Sequence, residues 1–163
     1  MKPLDSRKKE QRYERIVKQI KDLLVKTDQP IPRMATIAAI LHHKMEHFFW
    51  TGFYLIVDGE LLVGPYQGSV ACQVLAKNVG VCWSAINSAK SIVVADVHQF
   101  PGHIACDSRS NSEIVIPLRD KKGLIVGCLD IDSQELNRFD SVDEFYLYQI
   151  ANLVHSYHNE TTI

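Results

Sequence analysis

Residues 95–132, ADVHQFPGHIACDSRSNSEIVIPLRDKKGLIVGCLDID, constrain the fold more than any other part of the chain. Two runs rich in branched residues, 113–118 and 124–131, are separated by a short polar break at 120–123 and read as a hairpin. The preceding stretch, 95–112, has no apolar periodicity and holds Pro101 and Gly102. A segment of that length without structure of its own is uncommon in a compact domain unless it is functional. Because strand-like runs flank it at 92–94 and 114–118, it reads as a lid over a site. Its chemistry is concentrated at Cys106, with His103 before it and Asp107 immediately after.

The rest of the chain supplies what such a hairpin packs against. Over 6–26 the apolar residues Tyr13, Ile16, Val17, Ile20, Leu23 and Leu24 recur at steps of three and four, the pattern of an amphipathic helix. Two prolines in 27–32 break it, and Met34, Ile37, Ala38, Leu41, Met45 and Phe48 mark a second helix. An Asp58-Gly59 loop then joins strand-like runs at 52–57 and 60–63, a strong hairpin signal. Gly64 and Pro65 predict a turn, followed by a strand within 70–75 that carries Cys72. A short helix is expected from Gly80 with Cys82 in its first turn, and Tyr146, Ile150, Leu153, Val154 and Tyr157 define a closing helix. This order predicts an α/β protein of the α+β type: a central, mostly antiparallel sheet with N-terminal helices and a C-terminal helix packed on it. With 163 residues and 46% hydrophobic content the chain is expected to form one domain over 1–163, its first 12 residues a partly disordered start to the first helix.

Composition narrows the function classes. Basic and acidic residues number 18 and 19 with no dense basic face, which argues against nucleic acid as a partner. No apolar run approaches the ~20 residues of a membrane span, and the first residues have no signal-peptide core, so a cytoplasmic protein without membrane contact is expected. In that reducing setting Cys72, Cys82, Cys106 and Cys128 point to redox chemistry, metal binding or core packing rather than to structural disulfides. Cys128, between Val126 and Leu129, reads as core. Cys82 has a helix dipole to lower its pKa, and Cys106 has His103 and a polar setting, so on physics alone either is a candidate nucleophile. Three thiols near a carboxylate cluster suit a cycle of attack, sulfenic acid and disulfide closed by an outside reductant.

The carboxylates are Asp130 and Asp132, placed by strand alternation on one face about 7 Å apart, and Glu113 at the start of the neighbouring strand. Crowding raises the pKa of at least one of three such groups, which supplies a general acid; the plainer reading is sheet-end acids facing water. A metal site built from His98, His103, Cys106 and an aspartate competes with the thiol cycle, although no paired ligand motif supports it. Trp50 is a packing anchor or, at a pocket edge, a plane for a methyl group or cation.

The strings WTGFYL, GPYQG with Cys72 shortly after, GVC, DVHQFPGHIACDSRSNSEIVIPL and GCLDIDS together resemble the free methionine-(R)-sulfoxide reductases, a family of small GAF-domain enzymes. The resemblance spans roughly 13–155, and HIACD followed by SNSEIV is not a generic GAF feature. It implies a GAF-like fold, with Cys106 as attacking thiol, Cys72 as main resolving partner and Cys82 as a further redox-active thiol. It also implies Trp50 against the substrate's S-methyl group and Glu113, Asp130 and Asp132 lining the pocket. Trp83 and Cys128 depart from the family pattern, which has glycine and an aliphatic residue at those places. The expected activity is reduction of free L-methionine (R)-S-oxide to L-methionine, with Glu113 as the acid. Thioredoxin is the expected reductant, no metal, flavin or nicotinamide cofactor is needed, and the apolar surface of the first helix suggests a homodimer. The alternative is a GAF module that binds a small molecule without changing it.

Overall fold

A computed structural model describes residues 4–103 and 106–156. Two helices open the chain, α1 (Leu4–Leu24) and α2 (Pro30–Lys44), followed by β1 (Trp50–Val57) and β2 (Glu60–Gln67). A two-residue strand β3 (Val74–Leu75), helix α3 (Gly80–Ser88) and strand β4 (Ile92–Val94) come next. The last elements are β5 (Ser112–Arg119), β6 (Ile125–Ser133) and α4 (Ser141–Asn152). The strands form one sheet in the order β3-β2-β1-β6-β5-β4, and every pairing is antiparallel. Tyr157, expected in the closing helix, lies outside the described residues, and Leu153 and Val154 follow the helix rather than extend it.

The two-residue period of the strands sorts the side chains into two cores. Ile114, Ile116 and Leu118 of β5, with Leu129 and Ile131 of β6, face α1, α2 and α4. Val115 of β5 and Cys128 of β6 face the other way, toward α3 and Trp50, Tyr54, Cys82 and Trp83. Glu113, Asp130 and Asp132 share the parity of this second set, so the alternation that builds the sheet also delivers the acids to the α3 side.

The expected turn at Gly64-Pro65 is instead part of β2. Gly52 pairs with Tyr66 while Tyr54 pairs with Val63, so Gly64 and Pro65 lie opposite Phe53 alone. That is a bulge, and it tolerates a proline because Pro65 lies beyond the reach of β3, which pairs only with Leu61 and Leu62. The strand expected to carry Cys72 shrinks to Val74 and Leu75, which leaves Cys72 on the loop before it.

Arg33 ties the helical layer together. It is buried, at 2% exposure, and its guanidinium donates to the carbonyls of Leu24, Thr27, Leu153, Val154 and Ser156 and to Asp28 Oδ1. The end of α1, the start of α2 and the chain after α4 are thereby held at one point. Asp140 and Asp143 form a capping box at the start of α4, and Asp143 also accepts from Tyr13 Oη at 2.7 Å and from Lys9 Nζ.

Candidate active site

Sheet register sets the pocket floor. Asp132 pairs with Trp50 on one side and with Glu113 on the other, and Asp130 pairs with Gly52 and Val115. Side chains directly opposite on antiparallel strands stand about 5 Å apart at Cβ, so Glu113 and Asp132 are immediate neighbours and Asp130 lies one diagonal step away. The first turn of α3 covers this floor with Cys82, while the loop after β2 and the loop after β4 form the rim. Together they enclose about 580 Å³, open mouth included, lined among others by Trp50, Tyr54, Cys82, His103, Cys106 and the three acids.

Burial decides the protonation of the acids. Glu113 is 5% exposed, and loss of water followed by the charges of Asp130 and Asp132 pushes its pKa well above the ordinary carboxylate value. Burial also raises Asp130, to about 6, against hydrogen bonds from Glu113 and Cys82 that favour its charged form. Asp132 is raised by burial and by Asp130, but its position at the half-exposed mouth lets solvent relieve part of that. The site thus holds a carboxyl that keeps its proton beside a carboxylate that ionises first.

Cys72 and Cys106 are joined by a disulfide across Cα atoms 5.5 Å apart. Cys106 is exposed and Cys72 half-buried, so the bond sits at the mouth. Tyr54 Oη donates to the Cys72 carbonyl at 3.4 Å, which ties the first rim loop to the floor. On the second rim loop, Arg109 forks onto Asp107 at 2.7 and 3.0 Å and lies 4.7 Å above the Phe49 ring, which fixes the turn after Cys106. Those hydrogen bonds hold the Asp107 carboxyl far below its usual range. The rim stretch 95–112 is not structureless: Val97–Gln99 forms one turn of 3-10 helix capped by Asp96, and Ile104 and Ala105 lie outside the described residues.

Three readings of the thiols and histidines change. The helix dipole does not lower the Cys82 pKa; a hydrogen bond with Cys128, then burial and the Asp130 charge, push it well up. Cys128 is core, as expected, but it faces the pocket layer and touches Cys82. The His98, His103, Cys106 metal grouping does not form, since His98 is exposed with Nε2 3.1 Å from Asn111 Oδ1 and Cys106 is bonded to Cys72. His103 does reach the pocket, with Nδ1 3.8 Å from Glu113 Oε2; burial and His98 lower its pKa, so the ring is held neutral. Trp83, the unusual neighbour of Cys82, is buried away from the pocket lining and donates to the Leu75 carbonyl at 3.5 Å.

Trp50 donates Nε1–H to the Ser69 carbonyl at 3.0 Å and stacks between Tyr54 and Tyr66, with ring centres 5.7 and 5.2 Å away. The tyrosines escaped the sequence reading. Their signal was the Trp50, Gly52, Tyr54 alternation on one face of β1. Gly52 is required here, because a Cβ on it would stand 2.3 Å from Tyr66 Cβ and 2.6 Å from Trp50 Cη2.

Sheet order, helix placement and a pocket under α3 define a GAF domain. The GAF domain model matches residues 34–156. GAF domain-containing protein A of Dictyostelium discoideum is 47% identical over 90% of this chain and 92% of its own. The free methionine-R-sulfoxide reductase of Escherichia coli is 44% identical over 72% of this chain and 71% of its own. The structure of the free methionine-R-sulfoxide reductase of Neisseria meningitidis in complex with its substrate superposes with a TM-score of 0.82 at 39% identity, over 87% of this chain and 85% of that one. The chain belongs to the free methionine-R-sulfoxide reductase family of GAF domains.

Proposed function

We propose that the protein reduces free L-methionine (R)-S-oxide to L-methionine with the thiols of Cys106 and Cys72. The observation that carries this reading is a cystine at the mouth of a pocket floored by buried acids. In the dithiol form the Cys106 sulfur attacks the sulfoxide sulfur while Glu113, raised enough to keep its proton, gives it to the sulfoxide oxygen. The oxygen passes to Cys106 as a sulfenic acid and methionine leaves. Cys72 then attacks Cys106 sulfur, water departs, and the observed disulfide remains. Two thiols and one sulfoxide become one disulfide, one thioether and one water.

Asp130 and Asp132 hold the substrate ammonium in this scheme, and the Trp50 indole faces the S-methyl group. Asp130 Oδ1, which has no hydrogen-bond partner among the described residues, supports the first assignment. Cys82 is a further thiol of the cycle. Its raised pKa keeps it protonated in this state, which leaves the attack on sulfoxide to Cys106. The exposure of Cys106 supports recycling by a protein dithiol such as thioredoxin, which needs a sulfur it can touch. The working form we propose is a cytoplasmic homodimer with no bound cofactor. Among the described residues no helix is long and apolar enough to cross a membrane.

Intact mass separates this from a GAF module that only binds. Adding the R sulfoxide to fully reduced protein should remove ~2 Da by closing one disulfide, and Cys106→Ser should show no such loss and form no methionine. A reduced protein that binds the sulfoxide with unchanged mass would be a receptor, not a reductase.

A further inference from the structure

Within the pocket the Cys82 sulfur, a Glu113 oxygen and an Asp130 oxygen all lie within 4.8 Å of one another, and all three residues are buried. They come from α3, β5 and β6, so three elements converge on one point. Asp130 is 6% exposed, and its Oδ1 has no hydrogen-bond partner among the described residues. A buried carboxylate oxygen left bare is unfavourable, and a cation relieves it. His103 stands at the edge of this group, with Nδ1 3.8 Å from Glu113 Oε2, and is not one of the three.

We infer that Cys82, Glu113 and Asp130 form a three-donor site for one thiophilic divalent cation of the zinc type, its fourth position left to solvent, and that its occupation excludes the sulfoxide. Thiolate and carboxylate are donors zinc takes, and its short bonds place tetrahedral donors roughly 3.4–3.8 Å apart, a contraction from the 4.8 Å or less that separates the three here. Calcium and magnesium ask for six or more oxygens, which this cluster does not offer. Binding breaks the Cys82 S–H bond, forms a sulfur–metal bond and releases the proton to solvent. No electrons move, so the site is available while Cys72 and Cys106 stay joined. The cation would also draw on the carboxylates assigned to the substrate ammonium. Only this exclusion rests on the proposed reaction; the binding itself does not.

Cobalt(II) is the probe, added to protein whose Cys72–Cys106 disulfide is closed. The expected result is one equivalent bound, with a near-ultraviolet thiolate-to-cobalt charge-transfer band that zinc displaces. Cys82→Ser should abolish the band, whereas Cys128→Val should leave it, although Cys128 touches Cys82. Asp130→Asn, close in shape to the native residue, should weaken cobalt binding by about tenfold or more. Absence of the band, its survival in Cys82→Ser, or undiminished affinity in Asp130→Asn each overturns the site. With reduced enzyme, zinc should raise the KM for the sulfoxide and leave kcat unchanged at saturating substrate; a fall in kcat alone would overturn exclusion. A band with no turnover at all would keep the metal site and remove the reductase reading.

Discussion

Glu113 and Asp130 are the same chemistry in two proposed roles, separated by one diagonal step across a sheet. Glu113→Gln keeps the shape and removes the transferable proton, so kcat should fall about 10²–10⁴-fold with KM little changed. A change confined to KM would make Glu113 a binding group. Asp130 must be ionised to hold an ammonium, and with its pKa near 6 the value of kcat/KM should decline as pH falls below about 6. In Asp130→Asn that limb should vanish, and a limb unchanged in the variant would assign it elsewhere. Gly52 shows how far a positioning residue can sit from chemistry. The Cβ of Gly52→Ala would stand 2.3 Å from Tyr66 Cβ and 2.6 Å from the Trp50 ring, so β2 and the indole must both shift; KM should rise several-fold and the Tm should fall, as read by steady-state kinetics beside circular dichroism.

At the scale of elements, the helical layer is pinned by one side chain that no periodicity reveals. Arg33→Met keeps length and removes the charge, leaving five carbonyls of the α1, α2 and α4 ends without their donor. A loss of about 3 kcal/mol is expected from the urea midpoint, with KM unchanged because Arg33 is on the far side of the sheet. Arg33 was illegible because its partners are backbone carbonyls, which every sequence has. The hairpins were legible because Asp58-Gly59 and the polar break at 120–123 between the branched runs 113–118 and 124–131 act locally. The β2 bulge was not, since Gly64-Pro65 carries the signature of a turn and only pairing with β1 shows that the chain runs on. The acids were found by alternation, whereas the aromatic stack with Tyr54 and Tyr66 and the Cys82–Cys128 contact depend on which strands and helices meet.

For the molecule as a whole, the pocket is a store of instability at neutral pH. The folded Asp130 pKa, about 6, lies above the unfolded value near 3.8, so its contribution to stability is complete below the lower value and is lost as pH rises through the upper. Glu113 and Asp143 are shifted in the same direction. Three histidines oppose them over part of the same range. Burial lowers the folded pKa of His42, His103 and His155, so protonation of the unfolded chain draws stability away as pH falls through 6.5. The total Tm profile therefore does not isolate the pocket, but a difference between two proteins does. Asp130→Asn removes the buried charge and leaves the histidines in place. Its Tm should exceed that of the native protein by about 5 °C at pH 7.5, and the gap should narrow as pH falls through 6 and close near the unfolded value of 3.8. A gap that stays constant with pH would mean that burial does not raise the Asp130 pKa, whereas a gap that keeps widening above pH 7 would mean that Asp130 stays neutral in the fold, and a neutral carboxyl cannot be the group that receives an ammonium.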